Sequence, residues 1–514
     1  MPLPVVPDPV ARPLDHLPLF GADDAPALVL RSGTLSYKAL RERIALLAGW
    51  LAARVPENGA RVASWAAKGE LTCLLPLAAA RAGLVHVPVN PLLKHAQVAH
   101  ILADSGASLV IANAARLASL GGGDVPADCL GIEEMQAWAD AEALGASLGP
   151  SAADPAELCA ILYTSGSTGK PKGVMLSHAN LWLGAVSVAH YLGFEPDDVV
   201  LGVLPLSFDY GQNQLLSAWR AGASVVPLDY LTARDVVKAC EKYAITTLAA
   251  VPPLWVQLVE QDWPVAAAAP LRRLTNSGGA LTVDLVAKLR GLFPQARLFP
   301  MYGLTEAFRS TFLDPALVDT HPTSMGRAIP FAEVLVIGDD GAVTEPGEEG
   351  ELVHCGPLVA QGYWHDAART AERFKPAPEE SSYGGSAVWS GDRVLRDGDG
   401  LLYFAGRRDA MIKSAGNRIS PQEIEDAALA TGLVVEAIAL GVPDARLGQA
   451  VHLIVRPAAG AAEAEQQLPR LLTRELPNFM QPRAIHWRTA MPLNPNGKID
   501  RTALAQELAT ELAA

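Results

Sequence analysis

Residues 163–173, YTSGSTGKPKG, combine hydroxyl side chains, glycines and two lysines in one short segment. Glycines let a backbone approach a polyanion, hydroxyls and successive backbone N–H groups donate to phosphate oxygens, and lysines offset negative charge. The segment follows an apolar run at residues 159–162, and α/β proteins place ligand loops at strand ends. We therefore expect a phosphate-binding loop, since a flexible surface linker rarely follows a buried strand directly.

This segment differs from a Walker A loop in two ways. Gly166 and Gly169 enclose two residues, whereas a Walker A loop has four between its glycines. Lys170 is followed by Pro171 and not by Ser or Thr. The phosphate chemistry is thus expected to belong to another class of nucleotide-binding protein.

Length and composition bound the remaining possibilities. A chain of 514 residues with 50% apolar and 19% charged residues predicts two or three globular domains. The net charge of −14 argues against a broad nucleic-acid surface but permits a local phosphate pocket. The first residues lack a signal-peptide pattern, and Arg81 interrupts the longest apolar stretch. With five scattered cysteines, these features predict a cytoplasmic protein without a membrane span.

The pattern of apolar residues predicts alternating helices and strands. Ser36 precedes Leu40, Ile44, Leu47 and Leu51, which have the spacing of one helical face. Short β-rich runs at 84–89, 108–112, 199–204 and 246–251 are separated by helix-like segments. This order predicts an α/β fold with largely parallel sheets.

The pattern of predicted elements changes near Tyr403. About a hundred residues follow, with helices of their own and two predicted strands at 434–440 and 450–455. Residues 420–423, SPQE, predict a capping box that opens a helix ended by Gly432. We expect a large N-terminal body of layered sheets and helices, residues 1–405, and a small hinged α+β C-terminal domain, residues 406–514.

Several further motifs occur in a fixed order along the chain. They are YGLTE at 302–306, GEL at 350–352, GYW at 362–364, SGD at 390–392, GRRD at 406–409, GNRI at 416–419 and PNGKI at 495–499. Together with the phosphate loop, this set resembles the adenylate-forming superfamily of acyl-CoA synthetases, amino-acid adenylation enzymes and luciferases, from about residue 36 to residue 501. The resemblance implies that ATP activates a carboxylic acid as an acyl adenylate, whose acyl group then passes to a thiol.

The resemblance also implies an ATP site, with roles assigned by motif. Glu306 would ligate Mg²⁺, a hard ion that prefers carboxylate and phosphate oxygens, and Thr305 would donate to the α-phosphate. The remaining ATP-binding residues would be Thr164, Ser165, Gly166, Ser167, Thr168, Gly169 and Lys172 at the phosphates, Gly278, Gly279, Ala280, Met301, Tyr302 and Gly303 at the adenine, and Asp392 and Arg407 at the ribose.

Lys498 is the principal catalytic candidate that the resemblance implies. Attack of a carboxylate on the α-phosphate brings two anions together, and a cation between them stabilises the transition state. Composition alone favours a solvent-facing lysine in an Asn-Pro-Asn-Gly turn. Asp409 falls at the expected hinge between the domains, and Lys413 and Gly416 would line the thiol tunnel after the small domain rotates.

Residues 205–211, PLSFDYG, bear on the substrate. Many acyl-CoA synthetases resemble one another in having His directly after the aromatic residue of this segment. Amino-acid-activating relatives have Asp at that position, and this chain has Phe208-Asp209. A buried ammonium needs such a partner. The alternative is that Asp209 caps a helix beginning at Tyr210. Arg309, followed by Ser310, is expected near the same pocket.

Arg309 has three readings: it pairs with Asp209, it binds a second carboxylate of the substrate, or it points outward. Trp255 is expected to form a wall of the acyl pocket. We expect a small amino acid such as alanine, proline or a β-amino acid, with a fatty or aryl acid as the alternative.

The acceptor is expected to be a separate molecule, because the chain ends soon after Lys498 without an appended carrier domain. It is either the phosphopantetheine thiol of a carrier protein, as in secondary-metabolite assembly, or coenzyme A. A non-catalytic nucleotide-binding scaffold is disfavoured, since Lys498, Glu306 and Asp392 are all present. Luciferase-like oxidation of an adenylate is neither supported nor excluded.

Overall fold

The structure is a computed structural model that describes residues 7–164, 171–407, 411–414, 417–444, 447–461 and 463–513. Its α-helices, numbered in chain order, are α1 (Tyr37–Arg54), α2 (Glu70–Arg81), α3 (His95–Ser105), α4 (Ala114–Ser119), α5 (Glu134–Leu144), α6 (His178–Leu192), α7 (Asp209–Arg220), α8 (Ala233–Tyr243), α9 (Pro252–Val259), α10 (Val265–Ala268), α11 (Val283–Leu292), α12 (Ala367–Arg373), α13 (Pro421–Ala430), α14 (Ala464–Glu475) and α15 (Arg501–Ala513). Short 3₁₀ helices span Leu14–Phe20, Thr305–Ala307, Pro315–Leu317 and Asn478–Met480.

The strands are numbered in the same way. They are β1 (Pro26–Leu30), β2 (Gly33–Ser36), β3 (Arg61–Trp65), β4 (Val85–Pro88), β5 (Ala107–Ala112), β6 (Leu130–Glu133), β7 (Leu158–Thr164), β8 (Lys172–Ser177), β9 (Val199–Gly202), β10 (Ser224–Pro227), β11 (Thr247–Ala250), β12 (Arg273–Asn276), β13 (Arg297–Tyr302), β14 (Thr311–Phe312), β15 (Ser324–Ala328), β16 (Glu333–Ile337), β17 (Glu349–Cys355), β18 (Phe374–Pro376), β19 (Ser386–Arg396), β20 (Leu402–Arg407), β21 (Ile412–Ser414), β22 (Asn417–Ile419), β23 (Val434–Asp444), β24 (Gly448–Pro457) and β25 (Ala484–Trp487).

Helix α1 forms as the sequence predicts. The Ser36 hydroxyl accepts a hydrogen bond from the Ala39 N–H at 3.3 Å, which satisfies one of the unpaired donors of the first turn. The predicted apolar stripe is fully buried in the body core. Local capping and periodicity therefore agree with the tertiary packing, and this prediction is confirmed.

The N-terminal body contains a six-stranded sheet in the order β6-β5-β3-β4-β7-β8. Its strands run parallel from β6 to β7, while β8 pairs antiparallel with β7. Thr164 at the end of β7 lies opposite Lys172 at the start of β8. The predicted phosphate loop therefore connects the two strands of a hairpin.

The second sheet of the body follows the order β16-β17-β19-β20-β15-β14-β13-β12-β11-β9-β10-β1-β2, with β18 paired to β19. Strands β10, β9, β11, β12 and β13 are parallel, as predicted, but β13 to β16 pair antiparallel. Only residues 397–401 separate β19 from β20, too few for the crossover that parallel strands need. The prediction of largely parallel sheets is therefore right for one half of this sheet and wrong for the other.

The C-terminal region has its own sheet and core. The order β22-β21-β24-β23, with β25 paired to β24, gives five strands where two were predicted. Ile424, Leu453 and Leu468 are fully buried in a separate apolar cluster. Strand β20 belongs to the body sheet and extends to Arg407, so the division near residue 405 stays a prediction.

The predicted capping box at the start of α13 is not formed. Pro421 occupies the first helical position as expected, and Gly432 has a φ of 69° just beyond the helix. However, the Ser420 side chain makes no capping bond; its hydroxyl donates to the Ala405 carbonyl at 2.9 Å. A tertiary hydrogen bond thus replaces the local one.

In the described part of the chain, none of the helices combines the length and apolar character that crossing a bilayer requires.

Candidate active site

Three side chains meet beside the phosphate loop. The Lys172 ammonium, at the start of β8, lies 3.1 Å from Glu306 Oε1 and donates to the Tyr363 hydroxyl at 2.7 Å. The Tyr363 hydroxyl in turn donates to Glu306 Oε1 at 2.6 Å. The structure therefore brings together Lys172 and Glu306, two predicted site residues. It adds Tyr363, which the GYW motif contained without an assigned role.

The pKa of Glu306 reflects this cluster. Burial acts to raise the pKa of the carboxyl, but the Lys172 ammonium and the Tyr363 hydroxyl outweigh it and lower the pKa. The carboxylate is therefore ionised at neutral pH. An anion of this kind, together with phosphate oxygens, is a suitable ligand set for Mg²⁺.

The predicted adenine and ribose residues also converge. Tyr302 ends β13 and donates its hydroxyl to Asp392 Oδ2 at 2.5 Å. Arg407 on β20 pairs with Asp392 on β19 and donates Nε–H to Oδ1 at 2.7 Å. Burial, followed by the Asp392 charge, raises the pKa of Tyr302 well above its ordinary value, so the phenol stays protonated. Met301 and Gly303 flank Tyr302 at this edge of the sheet.

Lys498 reaches into the body from a tight turn of the C-terminal domain. Leu493 and Ile499 pair across the turn, and Asn494 Oδ1 accepts the Lys498 backbone N–H at 3.1 Å. The Lys498 ammonium lies 4.7 Å from the centre of the Phe208 ring. The solvent-facing alternative for Lys498 is therefore wrong in this conformation.

Two residues of the body contact or make room for the turn that carries Lys498. A Cβ on Gly278, whose φ is 85°, would lie 2.5 Å from Lys498 Cε, so a larger residue would force the end of the lysine side chain to shift. Asn90 donates to the Pro495 carbonyl at 2.8 Å and contacts Asn496 Oδ1 at 3.2 Å. The sequence analysis did not identify Asn90, because no motif marks it.

Asp209 is buried in the body, where the charge of Lys498 acts on it. Helix α7 begins at Asp209 itself and Phe208 is its N-cap, so the alternative of a helix that begins at Tyr210 is wrong. The Asp209 carboxylate accepts a hydrogen bond from the Thr305 hydroxyl at 3.1 Å. Burial raises the pKa of Asp209, while the charges of Arg309 and then Lys498 oppose this rise.

Arg309 follows a strained turn at Phe308. Phe308 has a φ of 57° and a ψ of −53°, and the Arg309 N–H donates to the Ala307 carbonyl at 2.6 Å, which defines a γ-turn. The Phe308 ring fills the gap beside Gly184 of α6, where a Cβ would lie 2.2 Å from it. This turn directs Arg309 inward, so the outward-pointing alternative is wrong.

The neighbours of Arg309 are aromatic and polar. Its guanidinium stacks at 4.6 Å on the Tyr210 ring. Among the described residues, no carboxylate lies within 4 Å of it, so the alternative of a direct ion pair with Asp209 is not observed. Ser310 is fully buried and hydrogen-bonds His354 at 2.9 Å, a contact that the sequence did not indicate.

The remaining predicted site residues are either described without a tested role or lie outside the described residues. Trp255 is fully buried on α9, whose first residue, Pro252, lies near Gly279. Its role in the acyl pocket stays a prediction, as does that of Ala280. Lys413 belongs to β21, but its side chain is outside the described part. The described residues do not include Ser165, Gly166, Ser167, Thr168, Gly169, Asp409 and Gly416.

The described residues fit ATP and Mg²⁺. The Thr164 hydroxyl, where the phosphate loop begins, is buried without a hydrogen-bond partner in the described part, as expected of a donor awaiting phosphate. No three His, Cys, Asp or Glu side chains cluster there as a metal site. Glu306 is the carboxylate that would ligate Mg²⁺ together with nucleotide phosphates.

Comparison with known proteins decides the family. A model of AMP-binding enzymes matches residues 21–364, and a model of the AMP-binding enzyme C-terminal domain matches residues 423–498. The chain belongs to the AMP-binding enzyme family. This AMP-binding enzyme is an ATP-dependent, adenylate-forming ligase, and its large body and separate smaller domain are the fold of that family.

Two relatives and one solved structure span nearly the whole enzyme. An L-proline–[L-prolyl-carrier protein] ligase of Pseudomonas fluorescens is 33% identical, covering 94% of this chain and 96% of the relative. A feruloyl-CoA synthase of Amycolatopsis sp is 32% identical, covering 92% and 94%. ATP-bound MatB from Rhodopseudomonas palustris has a TM-score of 0.86 and 25% identity, covering 97% and 99%.

Proposed function

We propose that this AMP-binding enzyme activates a small amino acid as an aminoacyl adenylate and transfers it to the phosphopantetheine thiol of a separate carrier protein. The observation that carries the proposal is the buried Asp209 carboxylate at the start of α7. Two L-prolyl-carrier protein ligases, 33% and 32% identical to this chain, support the same choice of substrate class and acceptor.

The surroundings of Asp209 suit an ammonium group. A buried carboxylate is costly unless an opposite charge or hydrogen bonds replace its lost hydration. Thr305 donates the one hydrogen bond to Asp209 recorded within the described residues. A substrate ammonium supplies both a positive charge and hydrogen-bond donors, whereas the hydrocarbon chain of a fatty acid supplies neither.

Adenylation would use the groups that surround this pocket. A substrate carboxylate oxygen attacks the α-phosphorus of ATP, the bond to the bridging oxygen breaks, and pyrophosphate leaves. The Lys498 ammonium offsets the charge that accumulates, and the Thr305 hydroxyl donates to the α-phosphate. Glu306 would hold Mg²⁺, which supplies positive charge to the phosphates when bound.

The adenylate would then react with a thiol. The thiol loses its proton to solvent as its sulfur attacks the acyl carbon, a thioester forms, and AMP leaves with the pair of electrons of the cleaved bond. Rotation of the C-terminal domain about Asp409 would withdraw Lys498 and bring Lys413 and Gly416 to the thiol tunnel.

A second candidate function is an aryl- or fatty-acid–CoA ligase. The feruloyl-CoA synthases at 32% identity favour it, since their match covers the same length of chain. In this case Asp209 would have a structural role through its hydrogen bond with Thr305.

The test is ATP–pyrophosphate exchange with twenty amino acids beside fatty and aryl acids, followed by transfer assays with coenzyme A and a phosphopantetheinylated carrier protein. The proposal expects exchange with an amino acid and transfer to the carrier protein. Exchange with fatty or aryl acids alone, with transfer to coenzyme A, would overturn it in favour of the second candidate.

A further inference from the structure

The segment at residues 360–364, here called the strap, connects two parts of the phosphate site through its backbone. At one end of the strap, the Ala360 N–H donates to the Glu306 carbonyl at 2.9 Å. At the other end, the Trp364 N–H donates to the Gly173 carbonyl of β8 at 2.8 Å. The strap is therefore fixed both to the 3₁₀ turn that carries the candidate Mg²⁺ ligand and to the strand that follows the phosphate loop.

The Tyr363 side chain lies within the strap and is only 2% exposed. Its ring packs edge to face on Phe374, with ring centres 5.4 Å apart and an angle of 81° between the planes. Its backbone N–H donates to the Thr370 hydroxyl at 2.9 Å, and Tyr363 also pairs with Val174 of β8. Packing and backbone pairing together determine where the Tyr363 hydroxyl lies.

The Tyr363 hydroxyl contacts an anion and a cation at the same time. It donates to Glu306 Oε1 at 2.6 Å and accepts a hydrogen bond from the Lys172 ammonium at 2.7 Å. A hydroxyl has one donor and two acceptor sites, so the two contacts are compatible. The bond to Glu306 has the length of a charge-assisted O–H···O⁻ bond, about 2.5–2.7 Å, and such bonds are stronger than neutral ones.

Lys172 and Glu306 also contact each other directly, at 3.1 Å. In this pair the lysine neutralises the carboxylate that is proposed to ligate Mg²⁺. The Tyr363 hydroxyl gives the ammonium a second partner and orients the carboxylate through a neutral donor. Because an O–H donor leaves the charge of the carboxylate intact, Glu306 can keep this bond and still offer a full negative charge to a metal ion.

We propose that Tyr363 is a positioning residue for the metal and phosphate site, whose hydroxyl holds the Glu306 carboxylate ready for Mg²⁺ and shares the Lys172 ammonium with it. This inference rests on the proposed role of Glu306 in holding Mg²⁺. It does not depend on which acid the enzyme activates, so ATP binding without any acid tests it.

The experiment measures the dissociation constant of ATP by isothermal titration calorimetry, once with EDTA and once with excess Mg²⁺. The ratio of the two constants reports how much Mg²⁺ strengthens ATP binding. Tyr363→Phe keeps the ring and its contact with Phe374 and removes only the hydroxyl. We expect this variant to lower the ratio by about 10-fold or more, the effect of one hydrogen bond to a charged group, by weakening binding with Mg²⁺.

Tyr403→Phe is the matched control, since the Tyr403 hydroxyl also donates to a carboxylate, Asp397 Oδ2, at 3.1 Å. It should leave the ratio unchanged. Glu306→Gln tests the premise and should lower the ratio at least as much as Tyr363→Phe does. The double variant Tyr363→Phe/Glu306→Gln should be no worse than Glu306→Gln alone, because the tyrosine acts through this carboxylate. Thermal melting verifies that each variant is folded.

The outcomes separate this inference from its premise. If Glu306→Gln lowers the ratio and Tyr363→Phe does not, the inference is overturned and the role of Glu306 stands. The inference is also overturned if Tyr363→Phe weakens ATP binding equally with and without Mg²⁺, as a packing defect would, or if the losses of the two single variants add in the double variant. If neither single variant changes the ratio, the proposed role of Glu306 falls together with that of Tyr363.

Discussion

Asp209 and Lys498 are opposite charges that interact with one another, and burial shifts the pKa of each towards the neutral form. It raises the pKa of the Asp209 carboxyl and lowers the pKa of the Lys498 ammonium. Their mutual attraction opposes both shifts. The proposed chemistry requires both groups in their charged forms, so it depends on pH at two points.

This arrangement predicts a bell-shaped pH profile of kcat/KM for the amino acid. Activity should rise as pH rises through the raised pKa of Asp209, because only the ionised carboxylate binds ammonium. It should fall as pH rises through the lowered pKa of Lys498, because the neutral amine no longer offsets charge. Steady-state rates from pH 4 to pH 10 measure both limbs.

Asp209→Asn should remove the acidic limb and leave the alkaline one. Asp128→Asn, at an exposed aspartate, should leave the whole profile unchanged. An acidic limb that persists unchanged in Asp209→Asn would assign it to another group.

At the scale of elements, the turn after β12 controls the entry of Lys498. Gly278→Ala adds a Cβ 2.5 Å from Lys498 Cε, and we expect adenylation to fall at least 10-fold as the lysine shifts. Gly341→Ala is the matched control, because Gly341 has the same φ of 85° and open space around it. Each variant should lose about 1 kcal/mol of stability from backbone strain.

Pyrophosphate-exchange rates and thermal melting separate the two effects. Equal activity in the two variants would show that Gly278 is needed only for its backbone conformation and not for the position of Lys498.

Helix α6 supports the strained turn that directs Arg309. Gly184→Ala places a Cβ 2.2 Å from the Phe308 ring, so we expect a loss of about 1–3 kcal/mol of stability and a higher KM for the acid. Gly291→Ala in α11, where a Cβ meets nothing within 4 Å, should instead stabilise by about 0.5–1 kcal/mol. Chemical denaturation measures both, and a stabilised Gly184→Ala would contradict this packing role.

Elements governed by local signals could be predicted from the sequence. The spacing of α1 and the cap at Ser36 are such signals. The capping box at Ser420 failed because the Ala405 carbonyl, distant in sequence, competes for the same hydroxyl. The antiparallel half of the large sheet was missed because strand direction depends on connections and not on composition.

At the scale of the whole molecule, Asn90 holds the Lys498 turn against the body through two hydrogen bonds. Asn90→Ala removes both, and each is worth about 1 kcal/mol. We expect adenylation to slow by about 5- to 30-fold, measured by pyrophosphate exchange. Thioester formation from a preformed adenylate should not slow, because the proposed rotation breaks these contacts.

Asn478→Ala, at an exposed asparagine of the C-terminal domain, is the control and should change neither half-reaction. An equal loss in both half-reactions of Asn90→Ala would show a general folding defect and contradict a role confined to the adenylation conformation.

Long-range contacts limit what the sequence reveals about the site. Motifs identified Glu306, Asp392 and Lys498, whose chemistry is apparent from residue type and order. Asn90 lies 405 residues from Pro495, and no local pattern connects them. For Arg309 the sequence left three alternatives, and the burial of its side chain after the γ-turn at Phe308 excludes the outward-pointing one.

The central claim is that Asp209 selects an amino acid. The most direct measurement is ATP–pyrophosphate exchange with the preferred amino acid and with its analogue lacking the amino group, in the wild type and Asp209→Asn. We predict that the wild type prefers the amino acid and that Asp209→Asn lowers its kcat/KM by about 100-fold or more, with little effect on the analogue. Equal use of the amino acid by both proteins, or a wild-type preference for the analogue, would contradict the account.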